Sequence, residues 1–291
     1  MFMLLSETPN NVFRDDGVLC GLLPGLTRRQ SDLCLRHPTA IRYVVKGLKA
    51  ALHECKNQFY DQQWNCSASR NGFAISHLKV GSKESAYVFA LSSAAVSRAL
   101  ARACAQGTIA SCSCGFHPKR ITKQFKWAGC SDNIKFANNF GRKFMDAADL
   151  ARASDARSMM NLHNNRVGRK IVSSSVHREC KCHESKTLIP QLGRTGSRSG
   201  RYLHKSGQLS FLDNVLVYLD DSLDYCKEDQ LNDIRSPQGR ECFDKCNMIC
   251  CGRGYTTIRM VEEQQCHCKF IWCCEVKCDI CHHIVSHNFC K

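Results

Sequence analysis

The sequence predicts a chain in two unlike parts, a helical bundle followed by a small covalently stapled module. Three observations predict it. Cysteines crowd the C-terminal end, with 12 between Cys226 and Lys291 against 10 in the first 225 residues. Helical apolar periodicity is confined to the first part. The cysteine-rich part is too short to bury a conventional core and must be held by disulfides or metal.

Taken in order, Met1 to Leu5 is apolar but is followed at once by Ser6, Glu7 and Pro9. It falls short of the roughly 7 to 15 residues of a signal-peptide core, so residues 1–19 are expected to form a segment without a recognisable signal peptide. A helix is expected from Thr39 to Phe59, where Ile41, Val44, Val45, Leu48, Leu52, Cys55 and Phe59 recur at helical spacing behind Pro38. A second, from Ser85 to Ala105, is rich in alanine, which permits close helix packing, and Gly107 supplies its stop. Asp132 is expected to cap a third helix through Phe140 and Phe144, and Ser158 a fourth through Leu162, Val167 and Ile171. These elements place a helical domain at 20–185. Residues 186–215 read as a basic Gly/Ser-rich linker, with Gly193, Gly196, Gly200 and Gly207 among basic residues and no acidic residue from Lys186 to Leu212. The cysteine-rich domain then occupies 216–291.

Composition narrows the function classes. A formal charge of +15 favours anionic partners such as sulfated glycans. No uninterrupted apolar run approaches the roughly 18 to 20 residues of a membrane span, so no transmembrane segment is expected. Cys278 and Cys281 alone have the Cys-x-x-Cys spacing typical of zinc sites, whereas Cys-x-Cys and adjacent pairs dominate, so disulfides are favoured over metal and an oxidising compartment over the cytosol. That pattern also argues against a nucleic-acid partner in the nucleus. An enzyme is not expected. His53, His163, His177 and His183 stand in no paired-His metal motif or nucleophile elbow, and the adjacent His282 and His283 are poorly placed for one ion. No cofactor is expected.

Several motifs carry a resemblance. They run from Cys20-Gly21-Leu22-Leu23-Pro24-Gly25 to Cys34, through Trp64-Asn65-Cys66, Arg102-Ala103-Cys104, Cys112-Ser113-Cys114 and Trp127-Ala128-Gly129-Cys130. Further on come Met160 to Asn165, Glu179-Cys180-Lys181-Cys182-His183, Leu216 to Leu219 and Cys250-Cys251-Gly252-Arg253-Gly254-Tyr255, ending in the most specific, Cys266 to Cys278. The chain resembles the Wnt family of secreted, lipid-modified morphogens along almost its whole length. The resemblance implies an α+β, disulfide-rich fold, in which an N-terminal helical bundle is followed by a small cysteine-rich domain of β-hairpins. It implies a developmental signalling ligand of the extracellular space and matrix, with the cysteine-rich domain of Frizzled receptors and heparan sulfate proteoglycans as partners.

Carried onto matching positions, the family pairing joins Cys55 with Cys66, Cys104 with Cys112 and Cys114 with Cys130. It also joins Cys226 with Cys251, Cys242 with Cys246, Cys250 with Cys290, Cys266 with Cys281, Cys268 with Cys278, and the adjacent Cys273 with Cys274; Cys20 with Cys34 is added as a further pair. Receptor contact is implied at the tip of the last hairpin, Lys269, Phe270, Ile271, Trp272, Cys273, Cys274 and Val276. Asn65, in the sequon Asn65-Cys66-Ser67, matches a family glycosylation position. Two basic clusters, Lys119, Arg120, Lys123 and Lys126, and Arg194, Arg198, Arg201 and Lys205, are candidate glycan contacts.

One departure matters. In the family, the segment after Cys-Lys-Cys-His continues into Gly-Val-Ser-Gly-Ser-Cys, whose first serine is acylated, whereas here His183 runs into Glu184-Ser185-Lys186. Cys180 and Cys182 are therefore expected to lack their family partners, and Ser185 is not expected to be acylated. This leaves a non-acylated, proteoglycan-bound variant without receptor activation as the alternative function.

Overall fold

The structure, a computed structural model, describes residues 20–21, 23, 25–64, 66, 80–115, 130–152, 154–176, 214–232 and 234–291. The chain divides into two compact units: residues 1–55 with 69–223, and residues 56–68 with 224–291.

The first unit is helical: α1 Arg28–Arg36, α2 Pro38–Gln58, α3 Lys83–Ala105, α4 Ile134–Met145, the single turn α5 Ala147–Leu150, and α6 Ala156–Ser174, with α2 running on into the second unit. The helix α1 lies outside the elements expected from sequence. Its start is a capping box, in which the Thr27 hydroxyl accepts from the Gln30 N–H and the Gln30 side chain accepts from the Thr27 N–H. Pro38, expected just ahead of the helix, is the first residue of α2, and Gly107 follows α3 at φ +70°.

Two expected caps shift. The third long helix is capped by Asn133, whose side-chain oxygen accepts from the Phe136 N–H at 3.0 Å, rather than by Asp132. Helix α6 is capped by Asp155, and Ser158 sits inside the first turn with its hydroxyl donating to the Asp155 carboxylate. In both places a neighbouring Asn or Asp reaches the orphan N–H groups in better geometry than the residue the pattern favoured.

The core is built on Ile41, Val44, Val45 and Leu48 of α2, Val96 and Leu100 of α3, and Phe140, Phe144 and Met145 around α4, all buried. Backbones approach closely because two glycines allow it. A Cβ on Gly47 would stand 2.6 Å from Val96 Cα, and one on Gly168 would stand 2.0 Å from the Ala90 carbonyl oxygen. Ala90 was legible as part of an alanine-rich face, but its partner Gly168 was not. Among the described residues α3 alone is long and apolar enough to cross a membrane, with mean hydropathy 1.2 over its best window. Most of that window is buried in the bundle, as befits a core helix.

A buried polar cluster completes this unit. Arg169 forks onto Asp146 at 3.0 and 2.7 Å, donates to Ser93 Oγ, and shares Asp146 with the Asn165 amide. Burial pushes the Asp146 carboxyl above its ordinary pKa, against the lowering pull of Arg169. Residues 214–223 also pack here, not in the cysteine-rich unit where the sequence placed 216–223. The Asn164 side chain exchanges hydrogen bonds with both backbone groups of Val217, at 2.8 and 2.9 Å, and the Gly81 carbonyl accepts from the N–H groups of Leu219 and Asp220. A segment without a core of its own follows its backbone partners.

The second unit holds β1 Glu241–Cys242, the turn α7 Cys246–Ile249, and a long hairpin of β2 Tyr255–Ile271 and β3 Glu275–Cys290, in the sheet order β1-β3-β2. It also takes in residues 56–68, which the sequence placed with the helices. Trp64 packs between Phe59 and Tyr225, Arg240 donates to the carbonyls of Tyr60 and Gln63, and Lys245 pairs with Asp61 at 2.7 Å. A knot of Cys242–Cys246 and Cys250–Cys290 around Ile249 forms the small core beneath the hairpin, with Cys226–Cys251 beside it.

These contacts predict opposite outcomes for two helix glycines. Gly168→Ala is expected to lower stability by about 2 kcal/mol or more, because its Cβ meets backbone that cannot yield. Gly141→Ala, whose nearest contact would be Ser97 Oγ at 3.5 Å, is expected to be neutral or to stabilise by up to about 1 kcal/mol. Thermal unfolding of the two purified variants checks both.

Candidate interaction surface

The hairpin contains no Gly or Pro from Tyr255 to Cys290, and its strands carry Val, Ile, Thr and Phe suited to extended backbone. Its strands pair antiparallel from Tyr255↔Cys290 to Ile271↔Glu275. Neither face is covered along most of its length. The register shifts once, between Cys266 and Lys269, where His267 adopts φ +49°; this is a bulge. Cys266–Cys281 and Cys268–Cys278 cross the strands on either side of that point. Cross-links closing loops of 15 and 10 residues each remove about 3 kcal/mol of unfolded-state freedom. They make the distal segment rigid without burial.

Above the staples the sequence-predicted site residues come together. Phe270 faces Val276 across the strands, and the three-residue loop Trp272-Cys273-Cys274 closes the end. Trp272 is 90% exposed and Phe270 69%. Strand alternation puts Phe270 and Val276 on one face, while Lys269 and Lys277, opposite each other, flank the other. The tip therefore has an apolar side and a cationic side, with an indole at its apex.

One expectation is corrected. Cys273 and Cys274 are not joined: both thiols are free and exposed, with their sulfurs 4.0 Å apart, about twice a disulfide bond length. The reason is local. The loop turns with both residues at positive φ, +81° and +90°, and this leaves the two Sγ atoms apart. The other expected pairs hold: Cys20–Cys34, Cys104–Cys112 and Cys114–Cys130 in the helical unit, and the five already placed in the hairpin unit. Cys55 and Cys66 are each disulfide-bonded as well. Asn65, Cys180, Cys182, Ser185 and both candidate glycan clusters lie outside the described residues.

At the base, His287 of β3 is held between two carboxylates, with Nδ1 2.5 Å from Glu241 of β1 and Nε2 3.0 Å from Glu262 of β2. The Glu241 hydrogen bond, reinforced by the charges of both carboxylates, raises its pKa above the usual value near 6.5. Sequence reasoning did not single out this residue, because nothing in the spacing of Glu241, Glu262 and His287 shows that three strands bring them together.

The wnt family model matches residues 22–189 and 191–291. The chain is 39% identical to Protein mom-2 of Caenorhabditis elegans over 346 aligned positions, which span 99% of this chain and 92% of the relative. Those positions outnumber the 291 residues present, so the relative carries segments without a counterpart here. It is 34% identical to Protein Wnt-5a of Ambystoma mexicanum, over 94% of this chain and 87% of the relative. A solved structure of human WLS in complex with WNT8A matches with a TM-score of 0.62 and 30% identity, covering 87% of this chain and 94% of that one.

Two outcomes are expected from this geometry. Alkylation of the unreduced protein followed by peptide mass mapping should label Cys273 and Cys274; a tip peptide two mass units light and unlabelled would restore the bond between them. Because the folded-state pKa of His287 is raised, the stability that its charged form contributes is full below the unfolded value. It is lost as pH climbs through the folded value, hence from about 6.5 upward. Hydrogen exchange of the amides where β1 meets β3, corrected for intrinsic rates, should show protection falling over that range. His287→Gln should remove the dependence.

Proposed function

Because the chain belongs to the Wnt family, whose members are secreted signalling ligands, we propose that it binds the cysteine-rich domain of a Frizzled receptor through the tip of the β2–β3 hairpin. One observation carries the reading: in a chain of this family, Trp272 stands 90% exposed at the apex of a twice-stapled hairpin. Large apolar groups held out by a rigid scaffold lose little freedom on binding, and such side chains dominate interface energetics. Lys269, Ile271 and Val276 extend the contact, and Cys273 and Cys274 form the turn that presents Trp272.

The departure after His183 bears on strength. Without the acylated-serine motif, the affinity that an acyl chain supplies, about 0.8 kcal/mol per buried CH₂, is missing. The hairpin tip then carries receptor binding alone. Retention in the matrix falls to the basic clusters Lys119, Arg120, Lys123 and Lys126, and Arg194, Arg198, Arg201 and Lys205, acting on heparan sulfate within a chain of net charge +15. A partner of the WLS kind is supported by the likeness to the structure of WNT8A in complex with human WLS.

Titration of the purified chain against an immobilised Frizzled cysteine-rich domain tests the reading. Trp272→Ala is expected to weaken binding by about 30-fold or more, the range of an interface hot spot, with no change in melting temperature because the side chain is exposed. Ser185→Ala is expected to change nothing. Binding unaffected by Trp272→Ala removes the tip from the interface, and no binding by the parent chain favours a proteoglycan-bound protein without receptor activity.

A further inference from the structure

The hairpin presents a second surface on its side. Strand alternation places Val261 of β2, with Ile280 and Ile284 of β3, on the face that carries Phe270 and Val276. Val261 and Ile284 oppose each other in register and are 65% and 75% exposed. The strand β2 is an edge, its neighbour among the described residues being β3. From Tyr255 to Cys266 it contains no proline, lysine or bulge, three of the devices that ordinarily blunt an edge, and its charges, Arg259, Glu262 and Glu263, are of mixed sign.

We propose that this edge pairs with the same edge of a second copy of the chain, antiparallel, about a two-fold axis through Val261. Self-complementary charge selects the axis. In an antiparallel pair related by a two-fold axis normal to the sheet, opposed residues share a face. Centring on Val261 therefore sets Arg259 opposite Glu263 of the second copy and Glu263 opposite Arg259. Centring on Arg259, Glu262 or Glu263 would instead set like charges against each other, which destabilises a sheet. The chosen register also joins Ile284, Val261, Val261 of the second copy and its Ile284 into one apolar row across four strands. Glu263, 3.9 Å from His282 within its own hairpin, would gain the Arg259 guanidinium of the second copy as a cationic neighbour. The pairing runs from Thr256 to Cys266 and stops at the bulge, where the ladder of β2 changes register.

Charge exchange tests this. Light scattering of the full secreted chain over a concentration series is expected to show a monomer–dimer equilibrium. Arg259→Glu or Glu263→Arg alone should weaken it about tenfold or more, because two attractive pairs become two repulsive ones. The variant carrying both exchanges should recover it. Both side chains are exposed, so all three variants should melt with the parent. A monomer at every concentration, a dimer indifferent to either single exchange, or no recovery in the double variant overturns the proposal. So does a dimer that survives non-reducing denaturing electrophoresis, which would be covalent.

Discussion

A two-stranded hairpin exposed on both faces has almost no apolar burial to offset the conformational entropy of ordering it, and isolated hairpins are at best marginal in water. The β2–β3 hairpin stands because that entropy is removed from the unfolded chain instead. Cys266–Cys281 and Cys268–Cys278 restrict the distal end, while Cys250–Cys290 ties the end of β3 back to the knot around Ile249. Everything the hairpin can do at its surface depends on this substitution of covalent restraint for a core. Side chains that would otherwise be needed inside, Phe270, Trp272, Val261 and Ile284, are free to face outward.

The helical unit solves the opposite problem. It has ample apolar area, and its constraint is distance, since α3 packs closely on two neighbours only where Gly47 and Gly168 omit a side chain. Close approach leaves little room for water, so, although Asn165 Oδ1 is left without a hydrogen-bond partner among the described residues, the charged groups caught inside pair with one another. Arg169 does this for Asp146, Ser93 does it for Arg169, and Asn165 shares the same carboxylate. A carboxyl whose pKa is raised by burial and pulled back by a guanidinium is a poor source of net stability, but removing either partner would strand a charge in the bundle. The cluster is better understood as fixing the register of α6 against α3 and the Asp146 turn.

How much of this was legible in the sequence follows from how local each signal is. Helix periodicity in α2 and the alanine face of α3 depend on neighbours a few residues apart, and both were readable. Caps depend on which of two nearby polar residues reaches an N–H, so Asn133 and Asp155 displaced Asp132 and Ser158. Membership of a unit depends on contacts far along the chain. Residues 56–68 and 216–223 therefore group with the unit other than the one expected for them, whereas the rise in cysteine density at Cys226 lies close to the boundary at 223/224. Of the candidate site, family motifs marked the segment that closes the hairpin, yet the state of Cys273 and Cys274 rests on two backbone angles that no motif encodes. The row of Val261 and Ile284 was missed for a related reason. Each is one apolar residue among polar neighbours, and only the strand register reveals that they coincide.

The bulge at His267 gives the hairpin its division of labour. A regular ladder from Tyr255 to Ile271 would offer one continuous edge, and a strand docking there would reach the tip and crowd Trp272. The shift between Cys266 and Lys269 interrupts the spacing of outward N–H and C=O groups, so edge pairing ends below the tip. The two staples sit on either side of the same point, which keeps the interruption from becoming a hinge. One added residue in β2 thus separates an apolar apex from an apolar flank, and lets a single hairpin present both without one blocking the other.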